Sequence, residues 1–262
     1  MDLELRGKVA LVQGASKGIG RGIAESLARE GCDLVVTARG EEKLKEAAEA
    51  IASESGRKIL YKPTDSASLP AMAELMEFID KEFGRLDIIV CNSGGPPAGG
   101  VKDLKPEQWA EAANLLLAAP AYLLQLALPM LSKGGNGRFF IVTSSSTRVP
   151  VSGLTLSNSF RPGIVGFIKS LVEELAADHI CCHSIAPGRF DTDRLKHLIS
   201  VQAKKAGKSE DEIRRGMLDA IPAKRLGDPE DIGGLVAFLA SPKASYLNGG
   251  NWMVDGGLVR SI

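Results

Sequence analysis

The chain has 262 residues, enough for one α/β domain with a large core, and its 32 basic side chains balance 32 acidic ones. That balance leaves no electrostatic footprint for nucleic acid or an anionic membrane surface and favours a small-molecule partner. The first residues, MDLELRGK, carry charge where a secretory signal would carry an apolar core, so no export segment is expected.

In chain order, the first apolar β-branched run is VALVQG (9–14), and it opens directly into GASKGIG (14–20). Gly14, Gly18 and Gly20 at a strand-to-helix junction let backbone amides approach a pyrophosphate, whose charge the helix amino end stabilises. The spacing is G-x-x-x-G-x-G, and its position after the first strand favours a dinucleotide turn over an ordinary one. The second run, DLVVTA (33–38), ends in Ala38-Arg39 where an NAD site would place a carboxylate for the ribose 2′-hydroxyl. With Lys17 on the glycine turn, Arg39 favours a 2′-phosphate, hence NADP(H).

KILYK (58–62) and LDIIVCN (86–92) follow as strands, and Leu115 to Leu131 reads as a buried helix, interrupted by Pro120, Gln125 and Pro129 and short of an uninterrupted membrane span. Pro120 cannot donate to the Leu116 carbonyl, which predicts a kink or bulge between Asn114 and Pro120. RFFIVTS (138–144), ICCHSIAPG (180–188) and NWMVDGG (251–257) complete seven strands alternating with helical segments. Near-continuous apolar strands in βαβ alternation predict a single-domain α/β fold, a doubly wound parallel sheet of Rossmann type covering residues 1–262. Residues 189–228, charged and helix-prone, form an insertion on the ligand side of that sheet; a substrate lid and a solvated helical pair both fit it. Cys32, Cys91, Cys181 and Cys182 show no metal-ligand spacing, so no metal site is expected and reduced thiols of a cytoplasmic protein fit best.

At this point the chain resembles the short-chain dehydrogenase/reductase family, most closely its 3-oxoacyl-carrier-protein reductase-like members, over nearly all of its length. GASKGIG looks like the cofactor turn, Thr64-Asp65 like the acidic contact to adenine, CNSGG (91–95) like the element that packs against the cofactor, and VDGG (254–257) like the terminal element. Asn114 falls where the family keeps an asparagine holding a relay water. IAPGRFDTD (185–193) resembles the loop whose Thr192 contacts the nicotinamide amide. The resemblance thus implies cofactor contacts from Gly14, Ser16, Lys17, Gly18, Ile19, Gly20, Arg39, Asp65, Asn92, Gly94, Arg161, Pro187, Gly188 and Thr192. It also implies a homotetramer built on the long helices near 107–131 and 155–178.

The resemblance breaks at the chemistry. Aligning GRFFIVTS and GIVGFIKSL on the family pattern places Ser144 at the serine position, Ser157 at the tyrosine position and Arg161 at the lysine position. Another departure is His183, where an asparagine usually stands. An aliphatic hydroxyl is a far weaker acid than a phenol near pKa 10, and arginine does not titrate usefully. The tyrosines, 61, 122 and 246, lie in other segments. Two functions follow as expectations. One is an atypical oxidoreductase transferring hydride between NADP(H) and a carbonyl/alcohol substrate, with Ser144, Asn114, Ser157 and Arg161 as its catalytic set. The other is an inactive NADP(H)-binding sensor or assembly subunit. Arg148, Arg161 and Arg189 all border the expected site, where they would clamp a substrate carboxylate or phosphate.

Overall fold

The computed structural model describes residues 1–261. Seven strands form one parallel sheet: β1 (Val9–Gln13), β2 (Asp33–Ala38), β3 (Ile59–Pro63), β4 (Ile88–Cys91), β5 (Arg138–Val142), β6 (Cys181–Pro187) and β7 (Asn251–Val254). Their order is β3-β2-β1-β4-β5-β6-β7 with every pairing parallel. The expected doubly wound sheet is therefore present, and its order reverses between β1 and β4, where such sheets open a crevice at the carboxyl ends of the strands.

Period-two alternation divides the strand side chains between two cores. Ala10, Val12, Leu34 and Val36 pack with α1 (Gly18–Arg29), α2 (Glu41–Ser55) and α9 (Pro229–Ala240). Val9, Leu11, Ile89 and Phe139 pack on the other face with α3 (Leu69–Phe83), α5 (Ala119–Lys133) and α6 (Thr155–Glu174). The helix that carries the glycine turn is seated by close backbone approach. A Cβ on Gly22 would come within 2.5 Å of Pro229, and one on Gly233 would collide with Ser26, so α1 and α9 lie nearly in backbone contact.

The bulge expected near Pro120 is a π-helical turn, Asn114–Ala118, between α4 (Pro106–Ala113) and α5. The amide of Ala119 reaches back five residues to the Asn114 carbonyl, one more than an α-helix allows, and this leaves Pro120 in the first turn of the next helical segment. The three pieces run on as one 28-residue helix, Pro106–Lys133, long and apolar enough by length and composition to cross a bilayer. The helix is thus longer than the 115–131 run read from the sequence, and the core helix of a globular domain meets the same length and composition. Leu116, Leu123, Leu124, Ala127 and Leu131 are buried in the second core, as the sequence predicts for a packed helix.

The insertion forms α7 (Asp193–Ala206) and α8 (Glu210–Ala220), which share a small cluster of Leu195, Ile199 and Met217 separate from both sheet cores. Its base is closed by a bridge between Phe190 and Gly227, with the Gly227 amide donating to Arg189 and the Asp191 amide to Gly227. All four cysteines are free and buried. Burial pushes the Cys32 and Cys182 thiols up to about 12 and Cys91 upward as well, so these three are not poised as nucleophiles at neutral pH.

Candidate active site

The crevice is a cleft of about 1540 Å³ at the carboxyl ends of the strands, walled on one side by α7 and α8. Its first wall is the turn from β1 into α1. Gly14 takes φ +64°, and a Cβ there would stand 2.7 Å from both the side-chain amide and the carbonyl of Asn92. Asn92 in turn donates through Nδ2 to the Gln13 carbonyl at 3.3 Å, tying the end of β4 to the turn. Lys17 is the N-cap of α1 and supplies no side-chain cap, and the first turn holds no acidic residue. The leading amides of α1 therefore face the cleft without a partner from their own helix, and with the dipole they form an anion-binding end.

Most residues expected to contact a cofactor line this cleft: Gly14, Ser16, Lys17, Gly18, Ile19, Arg39, Asp65, Asn92, Gly94, Arg161, Pro187, Gly188 and Thr192. Gly20 does not. It lies against the Gly14 carbonyl, where a Cβ would collide, so its part is close packing of helix on strand. Arg39 is exposed and makes no ion pair among the described residues, whereas Lys17 Nζ is engaged with Asp193 of α7 at 2.9 Å. Asp65 accepts the Ala67 amide at 3.0 Å, and the Thr192 hydroxyl caps α7 by accepting from the Leu195 amide at 3.4 Å.

Ser144 follows β5 and opens a 3-10 turn, Ser145–Thr147. Its Oγ accepts the Ser146 amide at 3.2 Å, which fixes the oxygen and leaves the O–H free to donate. Ser157 and Arg161 stand one turn apart on α6, both facing the cleft, and are only 5% and 6% exposed. Arg161 Nη1 donates to the Val142 carbonyl at 3.2 Å, while its buried Nε has no partner. Burial pushes its guanidinium down to about 10, and the charge of Arg194 adds to the effect. It stays protonated at neutral pH. No Asp, Glu or His is hydrogen-bonded to Ser144 or Ser157 among the described residues.

Three expectations need correction. Asn114 lies outside the cleft lining, and its Nδ2 donates to the Ala67 carbonyl at 2.8 Å, because the π-helical turn directs it toward the loop after β3. It ties that loop to the helix and does not face the site. Arg148 is exposed outside the cleft. Arg189 does line it, but its Nη1 donates to the Met217 carbonyl at 2.8 Å and so fastens the base of the insertion. The cation that sequence reasoning missed is Arg194, on the first turn of α7, whose guanidinium lies over Gly95 so closely that a Cβ there would collide with it. Among the described residues no cluster of His, Cys, Asp or Glu could hold a metal.

Comparison with known proteins agrees with this layout. The family model described as Enoyl-(Acyl carrier protein) reductase matches residues 14–259. The 3-oxoacyl-(acyl-carrier-protein) reductase FabG of Vibrio cholerae is 34% identical over 256 residues, 98% of this chain and 99% of that protein. L-sorbose reductase from Gluconobacter frateurii, solved with NADPH and L-sorbose, superposes with a TM-score of 0.95 at 29% identity, covering 100% of both chains. A 7α-hydroxysteroid dehydrogenase solved with NADH and 7-oxo glycochenodeoxycholic acid does so with a TM-score of 0.89 at 28% identity, over 99% of this chain and 97% of that one. A sheet that reverses order beside an open glycine turn is thus accompanied by a family match along almost the whole sequence, and the chain belongs to the short-chain dehydrogenase/reductase family.

Proposed function

We propose that the protein is an NADP(H)-dependent oxidoreductase that interconverts a carbonyl and an alcohol with a non-standard active site. The observation that carries this reading is the convergence of the uncapped α1 amides, Ser144, Ser157 and Arg161 on one cleft. The cradle at Gly14 has no room for a side chain and presents backbone amides, which fits a pyrophosphate. Arg39 would hold the 2′-phosphate, Asp65 the adenine side, and Asn92, Gly94, Pro187, Gly188 and Thr192 the nicotinamide half. When bound, the cofactor supplies the hydride.

The chain's own residues orient and polarise. Ser144, with its oxygen pinned by the Ser146 amide, donates to the substrate oxygen, and Ser157 donates from the neighbouring face. Arg161, only 6% exposed, keeps its positive charge, stabilises negative charge developing on that oxygen and offers hydrogen bonds to ribose hydroxyls. Neither serine is acidic enough to deliver a proton outright, so the proton comes from water entering the open cleft. Rapid mixing with NADPH and a panel of carbonyl compounds, read by loss of reduced nicotinamide, tests this. Turnover of at least one compound is expected; its absence across the panel supports the second reading, a dinucleotide-binding protein without turnover. That reading is favoured by one observation, that among the described residues no Asp, Glu or His is hydrogen-bonded to Ser144 or Ser157.

The cofactor preference is testable separately. Arg39→Ala is expected to weaken NADPH by roughly 10- to 100-fold, the value of a hydrogen-bonded charge contact, and NADH by less than about twofold. Equal losses in a fluorescence titration contradict the assignment. A homotetramer and a cytoplasmic location remain part of the proposal. The partly buried apolar residues Leu117, Tyr122 and Leu126 on the long helix and Phe167 on α6 support association through these helices.

A further inference from the structure

We propose that the active site selects substrates bearing an anionic oxo group, a carboxylate or a phosphate, and that Arg194 together with Arg161 forms the pocket that holds it. This rests on the oxidoreductase reading above.

Two guanidinium groups share the inner cleft, and among the described residues no carboxylate comes within ion-pair distance of either. Arg161 is 6% exposed, meets only the Val142 carbonyl, and has a buried N–H with no acceptor. A buried cation without a counter-charge carries an uncompensated desolvation cost, which a bound anion removes. The acidic residues bordering the cleft do not supply it. Asp193 is held by Lys17, Glu212 accepts the amide of Ser209, which caps α8, Asp65 and Asp103 accept the Ala67 and Gly100 amides, and Glu111, exposed to solvent, lies beyond ion-pair distance of both guanidinium groups.

Arg194 is placed against its own interests in two further ways. It sits in the first turn of a 14-residue helix, where the dipole disfavours a cation, and it adds like charge to Arg161. Its guanidinium nevertheless lies over the Gly95 backbone, in space that a side chain at that position would contest. A site that accumulates positive charge in this manner becomes favourable when an anion binds between the two groups. The sequence motifs do not single out Arg194, because the residue reaches the cleft only through the folding of α7 over the segment after β4. Space for the anion is supplied by the short side chain at Ser157.

The test uses matched pairs: 3-oxobutanoate with its ethyl ester, and dihydroxyacetone phosphate with dihydroxyacetone. Each is titrated calorimetrically into the protein in the presence of NADPH, and each is assayed for turnover. At least one acidic member is expected to bind about tenfold or more tightly than its neutral partner, in keeping with charge-assisted hydrogen bonds. The pair with the larger ratio identifies the oxo group. Arg194→Leu should erase most of that ratio, Arg194→Lys should retain part of it, and Arg148→Leu, on the exposed surface outside the cleft, should leave it unchanged. Equal binding within both pairs overturns the proposal, and so does a ratio that survives Arg194→Leu. Loss of NADPH affinity with the ratio intact also overturns it, because Arg194 then serves the cofactor phosphates. Acid-selective binding without turnover of any compound supports the anion pocket and removes the oxidoreductase reading instead. Thermal melts of each variant establish that it is folded.

Discussion

Replacing Ser157 by tyrosine and Arg161 by lysine in the same chain should raise reduction of neutral ketones by about 10²- to 10⁴-fold, the usual contribution of a positioned general acid. The two positions lie one helical turn apart and both line the cleft, so a phenol at 157 and an ammonium at 161 would share one face. The cation lowers the phenol's pKa toward neutrality, a range that the aliphatic hydroxyl of serine does not reach. Ser157 borders open cleft volume, so the larger ring has space to enter. The same ring occupies the room proposed for an anionic group, and activity toward acidic substrates should fall in the double variant. Steady-state kinetics on a ketone and a keto acid check both directions. A wild type that already reduces simple ketones quickly, with a double variant merely slower, would mean that another acid performs the proton transfer.

A second large effect is expected on stability below neutral pH. His183 on β6 is fully buried, stacks on Phe140 with ring centroids 5.7 Å apart, and accepts two hydrogen bonds at Nδ1, from the Trp252 indole at 3.1 Å and the Gly250 amide at 3.3 Å. Both bonds require an unprotonated Nδ1, so protonation at that atom would break them. Burial, together with the charge of Arg138, lowers the pKa from 6.5 to about 4. The folded state therefore holds His183 neutral. Its contribution is fully present above pH 6.5 and is lost as pH falls toward about 4, a total of roughly 3 kcal/mol. In His183→Asn, whose side-chain carbonyl accepts from the same donors without titrating, this loss should be absent. Urea midpoints of both proteins across this range check the difference in slope, and parallel slopes would assign the acid sensitivity elsewhere.

The parts of this molecule set by local rules are readable in its sequence. Apolar runs and turn residues located all seven strands, and Gly14 and Gly18 mark a turn whose φ values only glycine adopts readily. Pro120 likewise announced a break in the helix, because a missing amide has a local consequence, and the π-helical turn is its form. Ser157 and Arg161 were placed by aligning the segments around them on the pattern of the family the chain resembles. The misread residues are those whose role depends on distant partners. Asn114 has the right position along its helix, but the π-helical turn turns its amide to Ala67 on another segment. Arg189 borders the cleft as expected, yet a carbonyl on α8 claims it. Arg194 carried no signal, since its place over Gly95 arises only when the insertion folds across the sheet.

The most direct measurement is isotope transfer. The protein is mixed with NADPH carrying deuterium at the transferable position of the nicotinamide, together with the keto acids and ketones named above, and the products are analysed by mass spectrometry. Deuterium should appear on the former carbonyl carbon of at least one product at a rate well above that without protein. Stoichiometric NADPH binding with no label in any product would contradict hydride transfer at this site.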